Sequence, residues 1–167
     1  CIGAGSEGKV YKLSHVTCIK IYRKRGDARE EAKALKHGAG TNYIPELYKT
    51  GRNYNVMEYI DGKPLDVYLK QRKVLSKVLA KELVLMLKVL EHIQFNRIDA
   101  RLRHIFVKDD QKIKVIDHVS AFRYKTDYPI HLYRGLKKLG HLPVFLQQLE
   151  ELDPDLFKRW EKARMLK

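Results

Sequence analysis

Apolar and polar residues alternate from Lys9 to Leu13 and again from Thr17 to Arg23. A period of two marks half-buried strands, so these segments are expected to form a hairpin turning near Ser14-His15. Asp27 with Glu30 three residues later has the form of a capping box. It predicts a helix over Ala28–His37, ended by Gly38. Ser76 is placed to cap a long helix running to about Phe95. That helix is apolar nearly all round (Val78, Leu79, Leu83, Leu85, Met86, Leu87, Leu90, Ile93) and is expected to be buried. Residues 104–117 read as two short strands around a turn, and residues 131–166 read as helical. Asp153 before Pro154 marks a helix start, with Phe157, Trp160 and Leu166 as its apolar stripe.

Strands therefore gather in residues 1–60 and helices dominate behind them, an α+β arrangement. Asp61-Gly62-Lys63-Pro64 is the best boundary, because Asp-Gly and Pro punctuate structure. It divides the chain into residues 1–60 and 61–167. There is no internal repeat and no low-complexity linker.

The chain has 167 residues, 44% hydrophobic and 32% charged. That is globular composition, long enough for one domain or two small lobes sharing a cleft. No apolar run approaches the roughly 18 residues that a membrane helix needs; the longest, Leu83–Leu90, is broken by Lys88. Two cysteines make no disulfide framework, so a reduced, cytoplasmic setting is expected. The formal net charge of +14 favours anionic partners: phosphates, acidic proteins, nucleic acid or a lipid surface. The charge is dispersed, and a solvated basic exterior accounts for it equally well.

The candidate chemistry starts at Gly3-Ala4-Gly5-Ser6-Glu7-Gly8-Lys9-Val10. Alone, this GxGxxG is either a tight hairpin or a phosphate-covering loop. A dinucleotide fold requires a helix directly after it, and Val10-Tyr11-Lys12-Leu13 reads as strand. Lys20 lies in a run, Thr17–Tyr22, that otherwise reads as buried strand. It is either an outward residue of an edge strand or a lysine that finds anions. Glu31 on the following helix is the expected partner, since Glu30 is better used in the capping box. Asp99 sits in a basic loop after the long helix. Asp117 ends the strand Ile113–Ile116, where it is either a turn starter or a ligand.

In this order, glycine loop, strand lysine, helix glutamate, loop aspartate and strand-end aspartate, the chain resembles the protein-kinase-like superfamily over most of its length. Val56-Met57-Glu58-Tyr59-Ile60-Asp61-Gly62 is similar to the kinase hinge. His104 lies five residues after Asp99, the spacing of Asn in the HRDxxxxN motif, and Asp117 falls at the DFG aspartate. The resemblance implies a bilobal fold with a strand-rich N-lobe and a reduced helical C-lobe, like compact atypical kinases of the RIO type and short bacterial serine/threonine kinases. It implies ATP held by Gly3, Gly5, Ser6, Gly8, Val10 and Lys20 and by Met57, Glu58 and Tyr59 at the hinge. It implies Mg2+ or Mn2+ at Asp117 and His104. Asp99 becomes the acceptor-orienting base, Arg101 a contact to the transferring phosphoryl group, and Glu31 the support of Lys20. The partners it implies are ATP and a protein substrate, acidic by charge complementarity, with a secondary nucleic-acid contact.

Three departures qualify the resemblance. Arg97-Ile98-Asp99 lacks the HRD arginine that answers an activation-loop phosphate. Asp117-His118-Val119 replaces DFG. His104 replaces a metal-binding Asn, and magnesium prefers oxygen ligands. Two rival functions follow: a pseudokinase that binds nucleotide as a basic scaffold, and a small-molecule kinase on the same fold.

Overall fold

The computed structural model describes residues 1–166. Its first half is an antiparallel sheet of five strands in the order β1-β2-β3-β5-β4. β1 (Gly3–Ala4) and β2 (Gly8–Lys12) form a tight hairpin over the glycine loop, closed by the Gly5 amide on the Gly8 carbonyl at 2.9 Å. β3 (Thr17–Tyr22) pairs with β2 on one side and with β5 (Tyr54–Glu58) on the other; β4 (Leu47–Thr50) is the outer strand beside β5. Between β3 and β4, α1 (Arg25–His37) packs on the sheet through Ala28, Glu31, Ala32, Ala34 and Leu35. The alternation read from Lys9 and Thr17 is the β2–β3 hairpin, and Ser14 closes its turn by accepting from the Thr17 amide at 3.1 Å.

The second half is mostly helical. β6 (Lys63–Pro64) leads into α2 (Leu65–Arg72), which ends at Lys73 in a left-handed conformation with φ 57°. Ser76 caps α3 (Lys77–His92), its hydroxyl accepting from the Leu79 amide at 3.1 Å. α3 is the spine of the core, with Leu79, Leu83, Val84, Met86 and Leu87 fully buried. β7 (Ile105–Val107) and β8 (Ile113–Val115) form a small sheet with β6. Then α4 (Ile130–Lys138), α5 (Leu142–Leu152) and α6 (Pro154–Met165) wrap the spine, burying Phe145 and Trp160. A strand-rich front and, among the described residues, six α-helices make the chain α+β, as the pattern predicts.

Some details differ. The Asp27–Glu30 capping box does not form. The Asp27 amide donates to the Lys24 carbonyl at 3.1 Å, which starts α1 earlier, at Arg25, with no side-chain cap. The Asp27 carboxylate instead faces Arg123 at 3.7 Å. α3 stops at His92, short of Phe95, because Gln94 takes a left-handed φ of 60°. Its outer face is not buried all round, since Val78 is 58% exposed. Asp153 caps α6 as expected, accepting from the Leu156 amide at 3.0 Å. Leu166 is not part of that helix's apolar stripe. It lies past the last turn and is exposed, and Leu156 takes the buried place beside Trp160.

Candidate active site

A cleft of about 440 Å³ opens beneath the β1–β2 hairpin, within the size range of small-molecule sites. Gly3, Gly5, Ser6, Gly8 and Val10 form its roof, Met57, Glu58 and Tyr59 its back wall, and Lys20, Glu31, His104 and Asp117 its polar end. The glycines differ in what they do. A Cβ on Gly8 would sit 2.0 Å from the Ile21 carbonyl oxygen, so Gly8 is required where β2 meets β3. Gly5 has open space around it, which leaves its backbone approachable by a ligand.

Lys20 is the hub of the polar end. Its Nζ lies 2.7 Å from Glu31, 3.0 Å from Glu7 and 3.4 Å from Asp117. Burial pulls its pKa down, but the three carboxylates outweigh burial and raise it. The ammonium is therefore firmly charged. Glu31 is itself held rigidly. It accepts from the Tyr22 hydroxyl at 2.6 Å and from the His118 amide at 3.2 Å, and Asn55 holds Tyr22 from below at 3.0 Å. Burying a carboxylate is costly unless it gains hydrogen bonds of this kind.

Asp117 sits two residues after the end of β8 with φ 73°. Asp tolerates the left-handed region better than most residues, yet such a backbone is sparsely populated and concentrates at functional sites. One carboxylate oxygen faces Lys20 and the other faces His104 Nδ1 at 3.3 Å. Burial resists ionisation of Asp117. Its hydrogen bond with Glu7, the Lys20 charge and His104 together overcome that and hold it at about 2. Burial lowers the pKa of His104 against the pull of Asp117, so the ring is neutral. Arg103 Nε donates to His104 Nε2 at 3.2 Å, which leaves the ring proton on Nδ1, facing Asp117. His118, next in the chain, is buried, bonded to the Val115 carbonyl and packed on Phe95.

Asp99 is not in the main cleft. It is 7% exposed, and its Oδ1 accepts from the His131 and Leu132 amides at 2.8 and 3.3 Å, capping α4. Oδ2 lies 3.8 Å from His131 Nε2. A crevice of about 20 Å³ joins Asp99 to His104 and Asp117, room for about one water. Burial raises the Asp99 pKa against its hydrogen bonds and the His131 charge. Arg101 is exposed just before a turn of 3-10 helix at Leu102–His104, and it does not line the cleft. Arg103 does.

Three participants, Arg103, Tyr22 and Glu7, carry little sequence signal of their own. Arg103 is legible only as an alternate arginine in Arg101-Leu102-Arg103. Ile60 lines the cleft one residue beyond the hinge triplet. The Tyr59 amide is already used by the Val16 carbonyl at 2.8 Å. Tyr22, two residues after Lys20, supports Glu31. Glu7 reaches Lys20, and its only cue was an acid inside a glycine loop.

Three carboxylates, from Glu7, Glu31 and Asp117, place oxygens within 4.8 Å of one another. Their common cation is the Lys20 ammonium. Asp117 Oδ2 and His104 Nδ1 face each other across 3.3 Å, and with the ring proton on Nδ1 only the carboxylate offers a lone pair there. A carboxylate donor suits a divalent cation, and His104 would add a nitrogen donor only in its other tautomer.

Glu7 also gives the cleft a pH signature. Burial pushes its carboxyl up to about 7, and the hydrogen bond with Asp117 adds to the rise, while Lys20 opposes it. The unfolded chain releases this proton near 4.5. Folding thus gains from protonated Glu7 below about 4.5 and loses that gain as pH rises through about 7. Glu7→Gln keeps the neutral form at every pH. It should melt with the wild type near pH 4 and above it near pH 8. A melting difference that is independent of pH contradicts this environment for Glu7.

Two comparisons bear on the site. The sequence model of the ABC1 atypical kinase-like domain matches residues 22–139, a span that includes Glu31, the hinge, Asp99 and Asp117 but not the glycine loop or Lys20. A Bacillus subtilis (strain 168) protein named "Putative serine/threonine-protein kinase YrzF" is 26% identical over 130 residues, which is 75% of this chain and 60% of that relative. The chain thus spans about 60% of that relative's length.

Proposed function

We propose that this chain, which belongs to the ABC1 atypical kinase-like family within the protein-kinase-like superfamily, is an ATP-dependent phosphotransferase of serine/threonine type. The single observation that carries this reading is Lys20 held 2.7 Å from a buried Glu31 at the end of a glycine-roofed cleft. Residues 1–60 form the lobe that covers the nucleotide. Residues 61–167 bring the acceptor. Adenine packs on Met57 and Val10 beside the Glu58–Ile60 backbone. Gly3, Gly5, Ser6 and Gly8 lie over the phosphates, and Lys20 takes their charge.

In this reading the residues divide the work of an in-line transfer, which is mostly positioning and charge stabilisation. Glu31 orients the Lys20 ammonium. Asp117 would hold the divalent ion, which would neutralise charge on the phosphate oxygens, and His104 would join it through Nδ1 once the ring proton moves to Nε2 and the Arg103 contact is released. Asp99, through the crevice it shares with Asp117, orients the acceptor hydroxyl and takes its proton; its raised pKa suits a base. Arg103 at the cleft wall, with Arg101 in the loop behind it, steadies the transferring group. The acceptor is a hydroxyl on a protein, and the charge of +14 favours one with an acidic surface, with a secondary contact to nucleic acid. We assign the chain to the cytoplasm. What the structure supplies directly is that no helix of the described residues is long and apolar enough to cross a membrane.

A second reading is favoured by the hydrogen bonding of His104. Both ring nitrogens are engaged, one by Arg103 and one by Asp117, which suits a nucleotide-binding scaffold that does not hold the metal. Metal preference separates the two. Phosphotransfer through His104 should be faster with manganese than with magnesium, and His104→Asn should raise the magnesium-supported rate. Equal rates for wild type and His104→Asn with both metals remove His104 as a ligand. The proposal as a whole is tested by calorimetric titration with ATP. Micromolar binding supports it, and no binding by the intact protein overturns it.

A further inference from the structure

We infer that the outer face of α1 is a docking surface for the phosphate backbone of a nucleic acid, separate from the nucleotide cleft. α1 turns Ala28, Glu31, Ala32 and Leu35 inward. The flank of the helix beside Ala32 is basic. Arg25, Arg29, Lys33 and Lys36 follow one another at intervals of four, four and three residues, which stacks them in one stripe. All four are exposed. Neighbours in such a stripe are about 5–6 Å apart at Cβ, and eleven residues of helix extend it over roughly 16 Å.

Arg52, in the turn between β4 and β5, closes the far side. Together the five cations line a depression of about 760 Å³ with no carboxylate in its wall. What internal engagement there is remains weak. Arg29 Nε is 3.9 Å from Glu30 with its side chain 85% exposed, and Lys33 Nζ lies 4.9 Å from the Phe122 ring centre. Five like charges facing one hollow repel one another, and an external polyanion relieves that repulsion. A linear, evenly spaced row suits a repeating anion better than the single cluster of oxygens on a phosphorylated side chain. The lining has no aromatic residue, so base stacking is not expected and binding rests on the phosphates.

The test is fluorescence anisotropy with a fluorescein-labelled 20-nucleotide single strand and its 20-base-pair duplex, from low to high salt. If all five cations meet phosphates, counterion release gives log–log salt slopes of roughly −3.5 for the single strand and −4.5 for the duplex. Arg29→Gln/Lys33→Gln/Arg52→Gln should reduce these to roughly −1.4 and −1.8. The control, Lys137→Gln/Lys138→Gln/Lys158→Gln, removes equal charge from exposed positions of α4 and α6 and should keep most of the wild-type slope. Circular dichroism melts establish that both triple variants fold. Three results overturn the inference: no binding of either probe, equal losses in the two triple variants, or displacement of the oligonucleotide by a phosphoserine peptide at lower concentration than by unlabelled oligonucleotide.

Discussion

Lys20→Ala should weaken ATP binding about ten- to a hundredfold, the effect of one lost charge-assisted contact of roughly 1.5–3 kcal/mol. The same change should also destabilise the fold. Lys20 is the cation shared by Glu7, Glu31 and Asp117. Removing it leaves three carboxylates facing one another, one of them, Glu31, only 2% exposed. Breaking a buried pair by deleting one partner costs about 3–5 kcal/mol. The low end, about 3 kcal/mol, is expected here, because Glu31 keeps the Tyr22 hydroxyl and the His118 amide. Calorimetry reads the first effect and denaturant unfolding the second. Unchanged affinity in a folded variant would exclude Lys20 as a phosphate contact.

Asp99 should show two separable roles. Asp99→Asn retains an oxygen to accept from the His131 amide, so α4 keeps its cap. The carboxylate that takes a proton is gone, and phosphotransfer should fall by about 10²–10⁴. Asp99→Ala loses the cap as well and should cost about 1–2 kcal/mol of stability beyond the catalytic loss. Initial rates together with unfolding curves distinguish the two. If Asp99→Asn turns over at the wild-type rate, Asp99 serves only as the cap of α4.

Neighbouring residues made much of this legible in the sequence. The β2–β3 hairpin follows from alternation over a dozen positions, and the caps at Ser76 and Asp153 follow from one residue type before a periodic run. The α+β order follows from where strands and helices fall. Asp27–Glu30 has the same form of signal and failed as a cap, because the Asp27 amide found the Lys24 carbonyl and its carboxylate turned to Arg123. A partner 96 residues away is invisible to a local pattern. Leu166 failed likewise, since helical periodicity cannot say where the last turn ends.

The site divides along the same line. Lys20 with Glu31 could be read because both lie on adjacent elements. Glu7 and Asp117 reach the same ammonium from a loop before it and a strand end 97 residues after it. Arg103 and Arg101 are chemically identical and two residues apart, and only the 3-10 turn at Leu102–His104 decides which one faces the cleft. Ile98 stands where the resemblance expects an arginine, and burial in the core explains the apolar choice. The capping of α4 by Asp99 depends on the placement of a helix more than 30 residues away.

The central claim is that the cleft transfers a phosphoryl group and does not only hold nucleotide. It is tested most directly by incubating the intact protein with γ-labelled ATP and manganese or magnesium, with casein as an acidic acceptor, beside the Asp99→Asn variant. The account predicts label on the acceptor that requires the metal, is greater with manganese, and is lost in Asp99→Asn. ATP binding by calorimetry with no label transferred under either metal would contradict it and leave a nucleotide-binding scaffold.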